Sequence, residues 1–320
     1  MASKTTEHVT FVGGQPKQAP SKMRDFLNFL YDKSTGKVLG RTGKSWLQIT
    51  VFYLIFYGVL AAFFAVLLVL FLQTLDTTQP KWVKEQGIIG NKPGMGFRPT
   101  PPDTGSSLIW VKTTSGQPTE TTQKYIDSLN EYLLAYDANS ATHSDGSNID
   151  CTNRRPDEKT KVVCRYPLEK LGPCTKENNY GYKHGQPCVL LKLNKIFGWV
   201  PEPYNATDIA NKNYPEDLQR YVEKQKITLK PDQLYYTCSG QDSVDKENIG
   251  PIRIHPESFS PNFFPYENRP NYLTPVAMVE FLNPQQGVVI NVECKAWAKN
   301  IEHSRTDKLG QVNFELMVDR

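Results

Sequence analysis

Residues 46–72, WLQITVFYLIFYGVLAAFFAVLLVLFL, decide the architecture of this 320-residue chain. No charged residue lies between Lys44 and Asp76. A helix of 27 residues is about 40 Å long, and about 20 apolar residues suffice to cross a bilayer. Because no second stretch of this kind follows, the sequence predicts one transmembrane helix and excludes a multi-span channel.

Basic residues are distributed unevenly around this stretch. Six Lys and Arg side chains lie in the 25 residues before it, and three lie in the 25 residues after it. Because the more basic flank stays in the cytoplasm, residues 1–45 are predicted to be a cytoplasmic tail. A cleaved signal peptide lies nearer the N-terminus and is shorter. The span is therefore predicted to be the signal anchor of a type II protein.

The composition changes on both sides of the span. Residues 1–21 are polar and cannot bury a core, so they are predicted to be disordered. Residues 73–105 are rich in proline and glycine, and we predict an extended extracellular stalk there. Residues 106–320 contain all six cysteines and are predicted to form the ectodomain.

Hydrophobic spacing predicts the fold of the ectodomain. Tyr125, Leu129 and Tyr136 belong to an apolar stripe at helical spacing between Gln123 and Ala138. Strictly alternating apolar and polar residues predict strands at 290–296 and 312–318, and short segments at 227–229, 235–238, 252–254 and 276–281 are further strand candidates. Short strands and a long-range cystine that holds two sheets together predict an immunoglobulin-like all-β sandwich with one inserted helix.

The cysteines agree with the predicted orientation, because the secretory lumen preserves disulfides and the reducing cytosol does not. All six lie beyond the span: Cys151, Cys164, Cys174, Cys188, Cys238 and Cys294. Proximity along the chain favours the pairs Cys151–Cys164 and Cys174–Cys188, which leaves Cys238–Cys294 as the third pair. A zinc site is the alternative, but no C-x-x-C spacing is present, so we expect no metal.

One N-glycosylation triplet is present, Asn205-Ala206-Thr207. It follows a turn-rich segment on the predicted luminal side, so we expect an N-linked glycan at Asn205. No cofactor is expected.

Motifs of type II enzymes and receptors are missing from the sequence. Golgi glycosyltransferases commonly carry Asp-x-Asp, hydrolases carry Gly-x-Ser-x-Gly or His-Glu-x-x-His, and lectin-like receptors carry Trp-Asn-Asp. None of these motifs occurs here. The net charge of +4 is too small and too scattered to indicate a nucleic-acid partner. A non-catalytic, membrane-anchored ectodomain remains.

The predicted span has two different faces when it is drawn as a helix. One face carries bulky side chains, including Tyr53, Phe56 and Tyr57, and the other carries small ones, including Gly58 and Ala62. Small residues four apart let another helix approach closely, and tyrosine hydroxyls in an apolar span need partners. A partner helix would explain both features, although such residues also occur in ordinary single spans.

Six short motifs stand in a characteristic order along the chain. They are LGRTGKSW at 39–46, FYLIFYG at 52–58, PGMGFRP at 93–99, FFPY at 263–266, YLTP at 272–275 and ECKA at 293–296. In order and spacing they resemble the β subunits of the Na⁺/K⁺- and H⁺/K⁺-transporting P-type ATPases. The resemblance covers residues 22–320.

The resemblance implies a fold and a role. The family combines a short tail, one span and an immunoglobulin-like ectodomain with sequential disulfides. Tyr53, Phe56 and Tyr57 match residues that pack on the membrane helices of the catalytic α subunit, and Pro265 and Tyr266 match a loop that meets its outer loops. The β subunit catalyses nothing; it assists the folding, stability and plasma-membrane delivery of the α subunit and modulates potassium occlusion.

Departures from the family pattern bear on these expectations. Ala62 and Val66 replace glycines often found at successive fourth positions after Gly58, and Glu267 replaces an aromatic residue after Tyr266. The single glycosylation triplet and the LGRTG motif favour a sodium pump over a proton pump. Membrane lipid and a small single-span regulatory subunit are further candidate partners. The alternative function is a type II cell-adhesion or receptor-like glycoprotein without a pump partner.

Overall fold

A computed structural model of the chain describes Phe26 and residues 29–76, 78–101, 105–140, 148–157 and 162–320. Residues 1–21, for which disorder is predicted, lie outside the described residues. The chain divides into two units, one that ends at Leu75 and one that runs from Asp76 to Arg320.

The first unit is built around one long helix, α1, at Gly43–Gln73, which contains the whole predicted span. Thr42 caps its N-terminus, because the Thr42 hydroxyl oxygen accepts a hydrogen bond from the Ser45 amide at 3.4 Å. Two short paired strands precede it, β1 at Tyr31–Asp32 and β2 at Lys37–Val38. No residue of α1 is buried, and among the described residues it is the one helix long and apolar enough to cross a membrane.

The second unit is mostly β-structure. Its strands are β3 Met95–Arg98, β4 Leu108–Thr114, β5 Gln117–Pro118, β6 Asn148–Asp150, β7 Val163–Arg165, β8 Cys188–Leu193, β9 Leu234–Gly240, β10 Ile252–His255, β11 Ser258–Phe259, β12 Val276–Phe281, β13 Val289–Trp297 and β14 Gln311–Asp319. Its α-helices are α2 Glu120–Ser140, α3 Ala206–Ala210, α4 Glu216–Gln225 and α5 Ser243–Asn248. Short 3₁₀ helices lie at Lys84–Gln86, Leu168–Leu171, Asn179–His184 and Pro261–Phe263.

Two sheets form the layers of the ectodomain. The smaller sheet has the strand order β10-β12-β8-β3, and the larger has the order β11-β9-β13-β14-β4-β5, in which β14 and β4 run parallel. Phe314 of β14 contacts Phe97 of β3 and Phe281 of β12, with ring centroids 5.0 and 6.3 Å apart. These contacts join the two sheets and confirm the predicted all-β sandwich.

Alternation along β13 determines which face of the larger sheet is in the core. Ile290, Val292, Cys294 and Ala296 are fully buried, and the residues between them are partly exposed. Successive side chains of a strand point to opposite faces, so one face of β13 is packed inside the sandwich. Trp297 is buried as well, in a separate apolar cluster with residues that include Leu218 of α4.

Three disulfides join the cysteines in sequence order, as Cys151–Cys164, Cys174–Cys188 and Cys238–Cys294. These are the three predicted pairs. The third disulfide, however, has a different place in the fold. Cys238 of β9 and Cys294 of β13 lie directly opposite each other on neighbouring strands, with their Cα atoms 4.1 Å apart. The prediction that this cystine holds two sheets together is therefore wrong, because it links two strands of one sheet.

The predicted apolar stripe of α2 is confirmed. Tyr125, Leu129, Leu133 and Tyr136 are buried against the ectodomain core. The Tyr136 hydroxyl donates a hydrogen bond to the Thr274 carbonyl at 2.8 Å, which satisfies the polar end of a buried ring.

Other parts of the ectodomain differ from the prediction. The short helices α3, α4 and α5 are additional, because their apolar positions are too few for a clear helical period. The predicted strand at 227–229 is wrong; the segment joins no sheet, and Leu229 packs in the cluster around Trp297. The predicted stalk ends too late, since Met95–Arg98 already forms the edge strand β3.

Candidate functional site

Four aromatic side chains form a continuous patch on α1, which we call the aromatic cluster: Phe52, Tyr53, Phe56 and Tyr57. Residues four apart stack, with ring centroids 6.1 Å apart for Phe52 and Phe56 and 5.8 Å apart for Tyr53 and Tyr57. Neighbouring rings in the patch meet edge to face at 5.4 Å. The 3.6-residue period produces this arrangement, since it places residues i and i+4 on one face.

The aromatic cluster is uncovered within the chain. Tyr53, Phe56 and Tyr57 have exposed fractions of 49%, 47% and 58%. The hydroxyls of Tyr53 and Tyr57 make no hydrogen bond to any of the described residues. An unpartnered hydroxyl is costly in an apolar medium. The geometry therefore offers a bulky, apolar surface with two polar atoms that a neighbouring helix can satisfy.

The small side chains of α1 are open as well. A Cβ atom added at Gly58 would meet no atom within 4 Å, and Ala61, Ala62 and Ala65 are exposed. Close approach of a second helix needs such a smooth surface. Because Ala62 and Val66 stand where a repeated glycine pattern would place glycines, the groove on this face of the helix is shallower than such a pattern would give.

The loop around Pro265 and Tyr266 is held by a second loop, which follows β8. The Tyr266 carbonyl accepts a hydrogen bond from the Gly198 amide at 2.8 Å, and Phe197 and Tyr266 form an isolated parallel bridge. The rings of Phe197 and Tyr266 meet edge to face at 6.4 Å, and the Tyr272 ring lies 5.2 Å from that of Tyr266. Backbone and ring contacts thus fix the loop before any partner binds.

Lys195 completes this arrangement. Its Nζ lies 5.1 Å from the ring centroid of Tyr266 and 5.3 Å from that of Tyr272. A cation at this distance is attracted to the ring faces. Although much of the side chain is exposed, partial desolvation and the positive charge of Lys192 lower the pKa of Lys195. The two tyrosine rings and the ammonium therefore act as one unit, which we call the tyrosine–lysine cluster.

Glu267 follows Tyr266 where the family resemblance leads one to expect an aromatic residue. Its carboxylate forms an ion pair with Arg269 at 2.6 Å, and Arg269 also donates to the Val162 carbonyl at 3.0 Å. Both side chains are partly buried. Glu267 therefore contributes to the internal support of the loop.

Asn205 is the N-cap of the short helix α3. Its side-chain oxygen accepts a hydrogen bond from the Asp208 amide at 2.8 Å, and the Asp208 carboxylate accepts one from the Asn205 amide at 3.0 Å. Lys299 also bonds to this carboxylate and lowers the pKa of Asp208. Asn205 itself is exposed. Because a glycan attaches to the side-chain nitrogen, the capping oxygen can keep its bond in a glycosylated chain.

Sequence reasoning missed three participants in these surfaces: Phe52, Lys195 and Phe197. Phe52 stacks at four-residue spacing on Phe56, so the helical period contained its signal. Lys195 and Phe197 reach the loop only through tertiary folding, about 70 residues before it in the chain. Tyr272 belongs to the YLTP motif, but its contact with Tyr266 is visible only in the fold.

These features define a single-span membrane protein with a disulfide-bonded β-sandwich ectodomain. A family model described as the sodium/potassium ATPase beta chain matches residues 16–314. The sodium/potassium-transporting ATPase subunit beta-2 of Drosophila melanogaster is 40% identical over 311 residues, which cover 95% of each chain. Subunit beta-1 of the same species is 39% identical over 306 residues, or 94% of each chain. Subunit beta-1 of Tetronarce californica is 32% identical over 317 residues, or 91% of this chain and 94% of the relative.

The chain therefore belongs to the sodium/potassium ATPase β-chain family. This family is the non-catalytic β chain, an accessory subunit that pairs with the catalytic α subunit. The alternative of an adhesion or receptor-like glycoprotein without a pump partner is not favoured.

Proposed function

We propose that this chain assists the folding, membrane delivery and stability of the catalytic α subunit of a sodium/potassium pump and modulates its potassium occlusion. The observation that carries the proposal is the uncovered aromatic cluster on α1. Exposed fractions near one half leave Tyr53, Phe56 and Tyr57 available to a helix of the α subunit. Packing and hydrogen bonds drive helix association in a membrane, and these side chains supply both.

The chain acts in the plasma membrane with its N-terminus in the cytoplasm. The basic residues Lys33, Lys37, Arg41 and Lys44 precede α1, and this asymmetry supports the orientation. All three disulfides follow α1, on the side where oxidising conditions preserve them. The ectodomain then faces the extracellular space.

The second contact with the α subunit is made by Pro265 and Tyr266. The tyrosine–lysine cluster and the Glu267–Arg269 pair hold this loop in one conformation, so little order has to be gained on binding. A non-catalytic subunit changes ion handling only by binding two conformations of its partner unequally. We propose that the loop binds the potassium-occluded state better than the sodium-bound phosphorylated state.

Two finer features complete the proposal. Asn205 carries an N-linked glycan. Its exposure supports this assignment, and so does the helix cap, which uses the side-chain oxygen and not the nitrogen to which a glycan attaches. A small single-span regulatory subunit is a candidate third chain, and the small-residue face at Gly58 and Ala62 offers it a surface.

Purification in mild detergent tests the proposal. The full chain, tagged at its C-terminus and expressed in cells that contain the pump, should retain a catalytic α chain in stoichiometric amount, identified by mass spectrometry. Treatment with peptide N-glycosidase should reduce its apparent mass, and an Asn205→Gln variant should not respond. A chain that purifies without any P-type ATPase would contradict the proposed function.

A further inference from the structure

An unusual turn lies shortly after the membrane-spanning helix. The Gly90 amide donates a hydrogen bond to the Gly87 carbonyl at 3.1 Å, so Ile88 and Ile89 occupy the two central positions of a four-residue turn. Such positions normally hold Gly, Pro, Asn, Asp or Ser. Here the exposed fractions are 109% for Ile88 and 80% for Ile89. Two large aliphatic side chains therefore stand on the tip of a turn with no cover from the ectodomain.

The residues before this turn resemble a membrane-interface anchor. Trp82 is 58% exposed, and the Lys81 ammonium lies 5.0 Å from its ring centroid. Lys84, two residues after Trp82, is exposed as well. Trp at the level of the lipid headgroups, with Lys beside it, is typical of segments that lie at a bilayer surface. The single carboxylate of residues 80–91, that of Glu85, accepts a hydrogen bond from Asn91 at 3.2 Å.

Trp82, Ile88 and Ile89 also line a groove of about 600 Å³. Its other wall includes Ile196 and Phe197, and Lys84 and Lys195 supply positive charge at its border. An apolar groove with cationic residues at its border has the chemistry of a phospholipid, whose acyl chains are apolar and whose phosphate is negative.

Chain length places this segment within reach of the bilayer. Eight residues separate Gln73, the last residue of α1, from Trp82. A fully extended chain spans at most about 3.3–3.6 Å per residue, so Trp82 lies within about 30 Å of the helix end. The headgroup region extends only about 5–8 Å beyond the hydrocarbon on each side. Continuity with the membrane-spanning helix therefore favours lipid over any distant partner.

We propose that residues 82–90 dock on the outer leaflet of the membrane that α1 crosses. In this arrangement the side chains of Ile88 and Ile89 enter the boundary between headgroups and acyl chains. Trp82 lies at the headgroup level, and Lys84 and Lys195 bind lipid phosphate. The segment is then a second lipid contact of the chain, separate from the span, and it adjoins the tyrosine–lysine cluster through Lys195.

Site-directed photocrosslinking in the intact complex tests this proposal. The photoreactive residue is introduced as Ile88→benzoylphenylalanine and, separately, as Ile89→benzoylphenylalanine, in cells fed an alkyne-bearing fatty acid that labels their phospholipids. Val66→benzoylphenylalanine, in the outer half of α1, is the positive control. Val244→benzoylphenylalanine is the matched negative control, because Val244 is 63% exposed but lies on α5, outside the groove. Samples without irradiation account for enzymatic acylation.

We expect light-dependent lipid adducts at positions 88 and 89 comparable with that at position 66, and none at position 244. Adducts at 88 and 89 that contain only protein would overturn the proposal and show a protein-docking surface. No adduct at either position, with lipid adduct at position 66, would show that the turn faces water. Co-purification of the α subunit with each variant is measured in parallel, so failure of lipid docking is distinguishable from failure of the proposed function.

Discussion

The aromatic cluster on α1 and the tyrosine–lysine cluster of the ectodomain are both rich in tyrosine, yet their environments differ. In the described part of the chain, the ring contacts of Tyr53 and Tyr57 are with residues of their own helix, and their hydroxyls have no hydrogen-bond partner. Tyr266 contacts rings and a cation from distant segments, and its hydroxyl donates to Asn268 at 3.0 Å.

The difference indicates which surface depends on a partner. A side chain whose contacts are satisfied within the chain has its conformation before binding, and a side chain without such contacts gains them only in a complex. We therefore expect the ectodomain surface to be stable by itself. The helix surface, by contrast, should gain its stabilising contacts only on association with the α subunit.

The largest expected effect concerns the internal stability of the ectodomain. Replacement of both Cys238 and Cys294 by alanine should lower the free energy of unfolding by about 4 kcal/mol, because loop-closure entropy grows with loop length. The Cys151–Cys164 disulfide closes a shorter loop, with a sequence separation of 13 against 56. Replacement of these two cysteines by alanine should therefore lower the free energy of unfolding by only about 3 kcal/mol. Urea unfolding of the detergent-purified chain measures both. A smaller loss for Cys238 and Cys294 would contradict the ranking.

The next effect tests the dependence of the helix surface on a partner. The triple variant Tyr53→Leu, Phe56→Leu and Tyr57→Leu should reduce the α subunit recovered by roughly tenfold, which corresponds to about 1.4 kcal/mol. Ectodomain stability should not change.

The matched control for the triple variant trims side chains on another face of α1. Leu54→Ala with Ile55→Ala removes volume at positions that are 70% and 63% exposed. Co-purification at matched expression compares the two variants. Equal loss of the α subunit in both would show that helix volume, and not the aromatic cluster, controls association.

A smaller effect is expected at the preformed loop. Tyr266→Ala should leave assembly intact but lower the apparent potassium affinity, because the loop favours the potassium-occluded state. A conformational preference of about 1 kcal/mol corresponds to about a fivefold shift. Lys195→Met removes the cation and keeps the tyrosine, so its shift should be smaller and in the same direction. Potassium activation at matched surface expression is the measurement; unchanged affinity in the Tyr266→Ala complex would assign the loop to assembly alone.

The smallest effect concerns pH and should be confined to the ectodomain. Burial lowers the pKa of His303, whose Nε2–H donates to the Ala296 carbonyl at 2.8 Å while its ring packs 4.5 Å from that of Trp297. The unfolded chain therefore binds a proton more readily than the folded chain. The stabilisation is present above the unfolded pKa of about 6.5 and is lost as the pH falls through the lower folded value.

Thermal unfolding of the purified chain at about pH 8 and about pH 5.5 checks this sign, since the two values bracket the ordinary histidine pKa. His303→Gln is the control, because glutamine keeps a donor but does not titrate. The loss of stability on acidification should be smaller in this variant than in the unchanged chain. An equal loss in both would assign the acid sensitivity to other groups.

Local sequence patterns determined several parts of this protein. A charge-free run longer than the bilayer predicts α1, and period-two alternation predicts β13 and β14, because burial on one face of a helix or strand repeats with its geometry. The short sequence spacing of Cys151–Cys164 and Cys174–Cys188 indicated their pairing, since nearby cysteines meet at low entropic cost. The rings of the aromatic cluster are neighbours on one helix, so their proximity also follows from local geometry.

Contacts between distant segments were decided by the tertiary structure alone. The placement of Cys238 opposite Cys294 within one sheet depends on strand order, which no local period encodes. The meeting of Lys195 with Tyr266 and Tyr272, and the position of β3 at a sheet edge, likewise depend on how the chain returns to itself. Local spacing reports which side of an element is buried, whereas the partner on that side is selected by packing over the whole domain.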